Sequence, residues 1–555
     1  MNQLELGLRN RSSWPASAAI VFLLIPVSLS YLYPTSFWAN TDYQPLGLAD
    51  ALNFAYRLAD LKMYTGRGMA DHPGVPFYFM NWFALALTGF PIAWKDARFY
   101  TEVLDHLQTY YSITIWLGAS IGAFGVYLFA RVAQRIAPTS TVMLGLLMWL
   151  VSTPATLLMF TSPSIDSFAI LINALFFAVL VKLAYRPDIT ANVCALGAAA
   201  SAFGYLNKLS YVYVGLSLAG TQILNLILRR PGWLRSIWIC VVFVALLLAI
   251  VFIVGRFVIG QAAFDALIEF HKQVILGSGM YGSGKESVVS GDAIRLAIAA
   301  IPAEGTYALA IALVGGFMLG TAGLVTALRG PEHLPAAIIA VGSGFASCFS
   351  AVIVLKHYSL HYTAGVSATL PASVVALYLL TKDWKYQVRW TAALLGIGAI
   401  AAMGARNAPA LATSLALVAK RTELASADRK DFTAHLGRDN RLVEFVYAAP
   451  FAEYGEGFVV VYGSVPRLTQ AYRDSRRDVI SSMTADLTDR EVGVFVLDKI
   501  YFPTAEAIKS SPNIALVSPR PATMKEGDKL IELRTVFLLI RQIACGGCVC
   551  RQRVS

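Results

Sequence analysis

The chain alternates long apolar runs with short polar connections, and about eleven of the runs could cross a bilayer as helices, which takes about 20 predominantly apolar residues each. They lie at Trp14 to Tyr33, Tyr110 to Ala130, Thr141 to Phe160, Ser167 to Leu183, Asp188 to Asn207, Leu209 to Leu228, Ile237 to Phe257, Thr306 to Leu328, Pro335 to Leu355, Ala364 to Leu380 and Trp390 to Ala405. Another run, Phe77 to Trp94, is also long, but counting it would reverse every later connection, so it reads as a juxtamembrane or re-entrant segment. After Ala405 hydrophobicity drops, and β-rich runs (FVVVYG, VGVFVLD, IALVS, LIELRTVFLLI) alternate with helix-like or turn segments, the pattern of a small α/β domain. The expectation is a polytopic α-helical membrane domain over residues 1–405 followed by an α/β domain over residues 406–555.

Charge orients the spans. Alternate connections carry Arg9 and Arg11, Arg131 and Arg135, Lys182 and Arg186, Arg229, Arg230 and Arg235, Arg329, and Lys382, Lys385 and Arg389. The positive-inside rule makes these cytoplasmic. It places the N-terminus inside and puts residues 34–109, residues 258–305 and everything after Ala405 outside. Of the 555 residues, 57% are hydrophobic and only 14% charged, with a mean hydropathy of +0.59, so a soluble class is excluded. The formal net charge of +11 is accounted for by orientation, and nucleic acid is not an expected partner. The N-terminal run has the basic flank of a signal peptide but no small-x-small cleavage site, so it reads as a retained first span. Cys194, Cys240 and Cys348 fall in apolar runs as small hydrophobes. Cys545, Cys548 and Cys550 crowd the tail without the second ligand pair of a zinc site, and read as incidental or disulfide-bonded.

The ionisable residues gather at the outer ends of the spans: Asp42, Asp71, His72, Asp166, Lys208, Arg256, His271, Lys356 and His357. Each alone could be snorkelling or marking a span boundary. Together they supply a base, cations and an apolar flank on one rim. The glycine-rich GSGMYGSGKES is not a P-loop, because Glu286 follows Gly284-Lys285 and no strand precedes it; it reads as a substrate-gating loop.

Four stretches carry a resemblance: Asn40 to Trp82 with Asp42 and Asp71-His72-Pro73-Gly74, TSPSIDSFAILINALFFAVLVKLAYRP with Asp166, ALGAAASAFGYLNKLSYVYVGL with Lys208, and KHYSLHYTAGVSATLPASVVALYLL. In order and membrane side they resemble the GT-C glycosyltransferases that use polyprenyl-phosphate sugars, especially the protein O-mannosyltransferase and lipid A aminoarabinose transferase group. The resemblance implies inverting transfer of a sugar to an acceptor hydroxyl at the outer face. Asp42 would be the general base, with Asp166 as the second candidate. Lys208, Arg256, Lys356, His357 and His72 would face the donor's phosphate, and Asp71 with His271 could hold a divalent ion. Implied partners are membrane lipids, the polyprenyl-phosphate sugar and a glycan, lipid or protein acceptor. The absence of an outer Asn-x-Ser/Thr sequon fits a bacterial inner membrane with the site facing the periplasm. The rival classes are a polysaccharide polymerase or ligase, which shares the donor chemistry, and a lipid-linked sugar flippase, which would be expected to carry charge pairs at mid-membrane and broken helices.

Overall fold

The computed structural model describes residues 13–33, 74–88, 97–161, 164–185, 191–229, 233–259, 261–276, 291–356, 358–436, 442–448, 451–463, 466–475, 478–482, 484, 487, 491–510 and 527–541. The helices, in chain order, are α1 (Trp14–Leu32), α2 (Val75–Leu87), α3 (Ala97–Asp105), α4 (Leu107–Ala133), α5 (Thr139–Val151), α6 (Ala169–Tyr185), α7 (Ala191–Asn207), α8 (Tyr213–Arg229), α9 (Trp233–Ile259), α10 (Gln261–Leu276), α11 (Gly291–Glu304), α12 (Gly316–Ala327), α13 (Leu334–Lys356), α14 (Leu370–Thr381) and α15 (Tyr386–Leu436). Then come β1 (Leu442–Val446), α16 (Ala452–Gly463), α17 (Pro466–Ser475), β2 (Val479–Ser481), β3 (Val492–Asp498), α18 (Ala505–Ser510), β4 (Lys529–Glu532) and β5 (Val536–Ile540).

Among the described residues nine helical stretches are long and apolar enough to cross a membrane, and α2 and α5 are shorter apolar helices. The remaining expected span, α7, has 17 residues. Helix α5 stops early because Ser152-Thr153-Pro154 follows it and proline cannot extend a helix by donating a backbone hydrogen bond. Helix α7 is instead built for close packing: a Cβ on Gly197 would lie 3.2 Å from the Phe243 ring of α9. The same device joins α12 to α13. There a Cβ on Gly344 would meet the Gly316 carbonyl and the Gly320 nitrogen at 2.6 Å, so the two backbones touch through small residues, as membrane helices do in place of hydrophobic exclusion.

The chain divides into two compact units, the first of residues Met1–Leu32, Met69–Met80 and Thr114–Ser414, the second of Tyr33–Gly68, Asn81–Ile113 and Leu415–Ser555. The first unit is the helical membrane domain. Its core is apolar and aromatic, with Trp149, Phe129, Phe176 and Phe177 among the largest fully buried side chains. Fifty-one residues long, α15 carries the chain from one unit into the next.

The second unit is an α/β domain with a five-stranded sheet in the order β2-β1-β3-β5-β4. Strand β1 pairs in parallel with β2 and β3, while β5 is antiparallel to both β3 and β4. Alternation in β1 sends Leu442 and Val446 to one core and Val443 and Phe445 to the other. Ala425 and Phe432 of α15 cover the second face. The first is covered by Leu85 of α2, Phe99, Tyr100, Val103 and Leu104 of α3, Leu107, Tyr110 and Tyr111 of α4, and by residues of α16 and α17. Part of the first polar connection thus belongs to the C-terminal fold.

One strand expectation changes, and strands β1 and β2 lie outside the expected runs. FVVVYG lies in α16 and is helical, because parallel β1 and β2 need a crossover that a helix normally supplies. Strand β1, LVEFV, was hidden in the sequence by the buried Glu444 at its centre. IALVS lies outside the described residues. At the β4–β5 turn the Asp428 carboxylate of α15 accepts from the backbone nitrogens of Arg534 (3.0 Å) and Thr535 (2.6 Å) and from the Thr535 hydroxyl (2.6 Å), and ion-pairs with the Arg534 guanidinium.

Candidate active site

Three helices of the membrane domain begin in the same way. Ser164, Lys208 and Ser359 are extended (φ −142°, −164° and −148°), and each is followed by a 3₁₀ turn, Ile165–Phe168, Leu209–Val212 or Leu360–Tyr362, before the α-helix proper. The tighter turn lets a polar residue sit at the end of an apolar helix with its backbone satisfied. The Ser164 hydroxyl accepts from the Asp166 nitrogen (3.1 Å).

These turns assemble one polar cluster. Lys208 Nζ is 2.8 Å from Asp166 Oδ2, and the Tyr211 hydroxyl donates to Asp166 Oδ1 at 2.9 Å. Asp166 is 3% and Lys208 4% exposed. Lys208 Nζ also lies 4.2 Å from the centre of the Tyr362 ring, close enough for a cation–π contact. Asn207 Nδ2 donates to the Ile165 carbonyl (3.1 Å), which fixes the two turns against each other. The Asn207 carbonyl accepts from the Gly74 nitrogen (3.0 Å), so the last residue of the Asp71-His72-Pro73-Gly74 motif docks beside Lys208. Gly74 has φ +50°, and a Cβ there would press on the Tyr78 ring at 3.0 Å; glycine alone meets both demands.

A second polar layer supports the site. Thr153 pairs with Thr363 and Thr156 with Ser367, each at 2.8 Å, and Asn407 Nδ2 reaches the carbonyls of Val151 (2.7 Å) and Gly305 (2.9 Å). Every one of these is buried or nearly so, where a satisfied hydroxyl or amide fixes geometry and an unsatisfied one would be costly.

Asp166 and Lys208, expected separately, are brought together. Lys208 is therefore not the isolated cation that its apolar flanks suggest, because its partner lies 42 residues away in sequence. Arg256 forms a half-exposed ion pair with Asp265 of α10 at 3.2 Å. His271 is buried and bonded through Nδ1 to the Tyr205 hydroxyl (2.8 Å), with the rings edge to face. Burial pushes its pKa down to about 4, so the imidazole is neutral at pH 7. Asp42, Asp71, His72 and His357 lie outside the described residues, and so does the side chain of Lys356. Among the described residues no three His, Cys, Asp or Glu side chains gather as a metal site would. Sequence reasoning missed Tyr211 and Tyr362. Tyr211 stands three positions after Lys208 in NKLSY, a spacing that turns one 3₁₀ repeat back onto the lysine's own turn.

The cluster holds a carboxylate, an ammonium and phenols at the ends of apolar helices, a set that can orient an anion and move a proton. No protein-family model and no curated protein matches the sequence. Solved structures do match the fold. The crystal structure of ArnT from Cupriavidus metallidurans bound to undecaprenyl phosphate superposes over 95% of this chain and 98% of its own, at 14% identity and a TM-score of 0.50. ArnT from the same organism in the apo state covers 94% and 98%, at 13% identity and a TM-score of 0.47. Over nearly its whole length, therefore, this multi-pass membrane protein has the fold of the undecaprenyl-phosphate-bound ArnT, the fold that the sequence resemblance implied.

Proposed function

We propose that the protein is an inverting glycosyltransferase that moves a hexosyl or pentosyl unit from a polyprenyl-phosphate donor to an acceptor hydroxyl at the outer face of a bacterial inner membrane. The observation that carries this reading is the buried Asp166–Lys208–Tyr211 cluster at the helix ends, in a fold shared with a protein crystallised with undecaprenyl phosphate. A lipid phosphate arriving among apolar helices needs a partly dehydrated cation, and Lys208 is one.

In the reaction the acceptor oxygen forms a bond to the anomeric carbon as the bond from that carbon to the phosphate oxygen breaks. Polyprenyl phosphate leaves from the opposite face, and the acceptor's proton passes to a carboxylate. Asp42 is assigned that proton. Both oxygens of Asp166 are engaged by Lys208 and Tyr211, which suits it to holding the lysine in place rather than to accepting a proton. Lys208, with Arg256, Lys356, His357 and His72 as further candidates, stabilises the leaving phosphate. Asp71 and His271 remain the candidate ligands should a divalent ion take part.

The test is turnover of a radiolabelled polyprenyl-phosphate sugar by the detergent-purified protein. Asp42→Asn should lower turnover by about 10²- to 10⁴-fold while donor binding survives. If the wild-type protein neither binds nor consumes any polyprenyl-phosphate sugar, the transferase reading fails. If Asp166→Asn abolishes turnover and Asp42→Asn does not, the base is Asp166.

A further inference from the structure

The second unit contains a cavity of about 480 Å³, lined by both polar and apolar side chains, that the proposed reaction does not use. Its wall includes Gln108, Thr109 and Ser112 from the first turns of α4 and Thr422, Ser426 and Arg429 from α15. Its volume is within the range of about 300–1,000 Å³ usual for small-molecule sites. Arg429 forms an ion pair with Glu453, in the first turn of α16.

Three features make this a built site. First, the cavity is rich in hydrogen-bond acceptors. The hydroxyls of Ser112, Thr422 and Ser426 donate to carbonyls of their own helices, those of Gln108 (2.7 Å), Val418 (3.0 Å) and Thr422 (3.0 Å). Their oxygen lone pairs are left to accept. Second, Gln108 Oε1, in the wall, is a buried acceptor without a hydrogen-bond partner among the described residues, and Glu453, 4% exposed, stands behind the wall as the partner of Arg429. A buried acceptor left unmatched costs about 1–3 kcal/mol, so a donor-bearing ligand has something to satisfy. Third, the chain reaches this place from the carboxyl end of β1 through Tyr447, which has φ +52°. Such a backbone is uncommon for a bulky residue and concentrates at functional positions. The parallel strands β2, β1 and β3 all end on this side, where ligands of open α/β sheets collect.

We propose that this cavity binds a neutral polyhydroxylated group, a sugar ring. A sugar offers several O–H donors to the acceptors, and its oxygens can accept from the Arg429 guanidinium. The pairing of Arg429 with Glu453 leaves no net charge for a phosphate, and Arg429 opposes an ammonium. Identifying the bound sugar as the acceptor rests on the transferase reading; the cavity's chemistry does not.

The experiment uses the full-length protein in a sugar-free detergent, with saturation-transfer difference NMR of methyl α-glucopyranoside, methyl α-mannopyranoside, methyl β-galactopyranoside and N-acetylglucosamine, and phosphorus line broadening of inorganic phosphate. At least one sugar should show saturable transfer. Ser426→Phe, on an exposed helix face, should fill the cavity without disturbing the fold and weaken that binding at least about tenfold. Glu453→Gln should weaken it as well, because the Arg429 guanidinium that donates to the sugar loses the carboxylate that holds it in place. Absence of transfer from every sugar, retention of binding in both variants, or broadening of phosphate alone would each overturn the proposal. Sugar binding without transfer from any polyprenyl-phosphate donor would sink the transferase reading and leave the cavity assigned. Transfer with no sugar binding would do the reverse.

Discussion

Replacing Lys208 by Met isolates the energetics of the buried cluster. The substitution keeps the apolar stem and removes the ammonium from Asp166, which is 3% exposed and 2.8 Å away. The Tyr211 hydroxyl still donates to Oδ1, but one phenol cannot compensate a buried charge. Breaking a buried ion pair by removing one partner costs about 3–5 kcal/mol, whereas removing both charges is often nearly neutral. Lys208→Met should therefore destabilise the membrane domain by about 3–5 kcal/mol. Asp166→Asn together with Lys208→Met should recover most of the loss, giving a coupling of about 2 kcal/mol or more. Equilibrium unfolding in mixed micelles, followed by far-UV circular dichroism across the four members of the cycle, measures this. Donor binding should respond differently, failing in Lys208→Met and staying lost in the double variant, because the phosphate needs the cation itself. A coupling below about 0.5 kcal/mol would show that the two charges act independently and refute the argument. Rescue of donor binding by the double variant would refute the assignment of Lys208 to the phosphate.

Other parts of the molecule give sharp expectations. His271 has a folded pKa near 4 because of burial against about 6.5 when unfolded; its contribution, up to about 3 kcal/mol, is present above pH 6.5 and lost as pH falls through 4, so His271→Phe should flatten the acid limb of a stability profile taken from pH 7 to 4. Asp428→Ala removes the acceptor of both backbone nitrogens in the β4–β5 turn and should cost about 2–3 kcal/mol, read by proteolysis of the hairpin, while Asp428→Asn should cost less. Gly344→Val places atoms where the Gly316 carbonyl and Gly320 nitrogen already stand at 2.6 Å and should cost at least the upper end of the about 1–3 kcal/mol typical of overpacking, seen as loss of detergent-stable monodisperse protein; unchanged behaviour would mean that α12 and α13 do not touch there.

Along the chain, periodicity and apolar length alone determined most of the membrane domain, because a bilayer tolerates few alternatives to a helix about 20 residues long. Nine of the expected runs are such helices, but residues 406–436, where the apolar pattern ends, continue α15 instead of opening the sheet domain. Single residues at the rim were legible too: Asp166 and Lys208 stood out because a charge flanked by apolar sequence needs a reason. What they touch was not legible. Their pairing depends on two 3₁₀ turns meeting across 42 residues, and Tyr362 joins from a third turn much later in the chain. In the second unit FVVVYG has the composition of a strand, yet the parallel pairing of β1 with β2 makes it part of a crossover helix. Helix α3 gave no hint in the sequence that Phe99, Tyr100, Val103 and Leu104 would cover a sheet built more than 300 residues later. Local pattern fixes which face of an element is apolar, but which partner buries that face is a property of the closed chain, and only the tertiary structure supplies it.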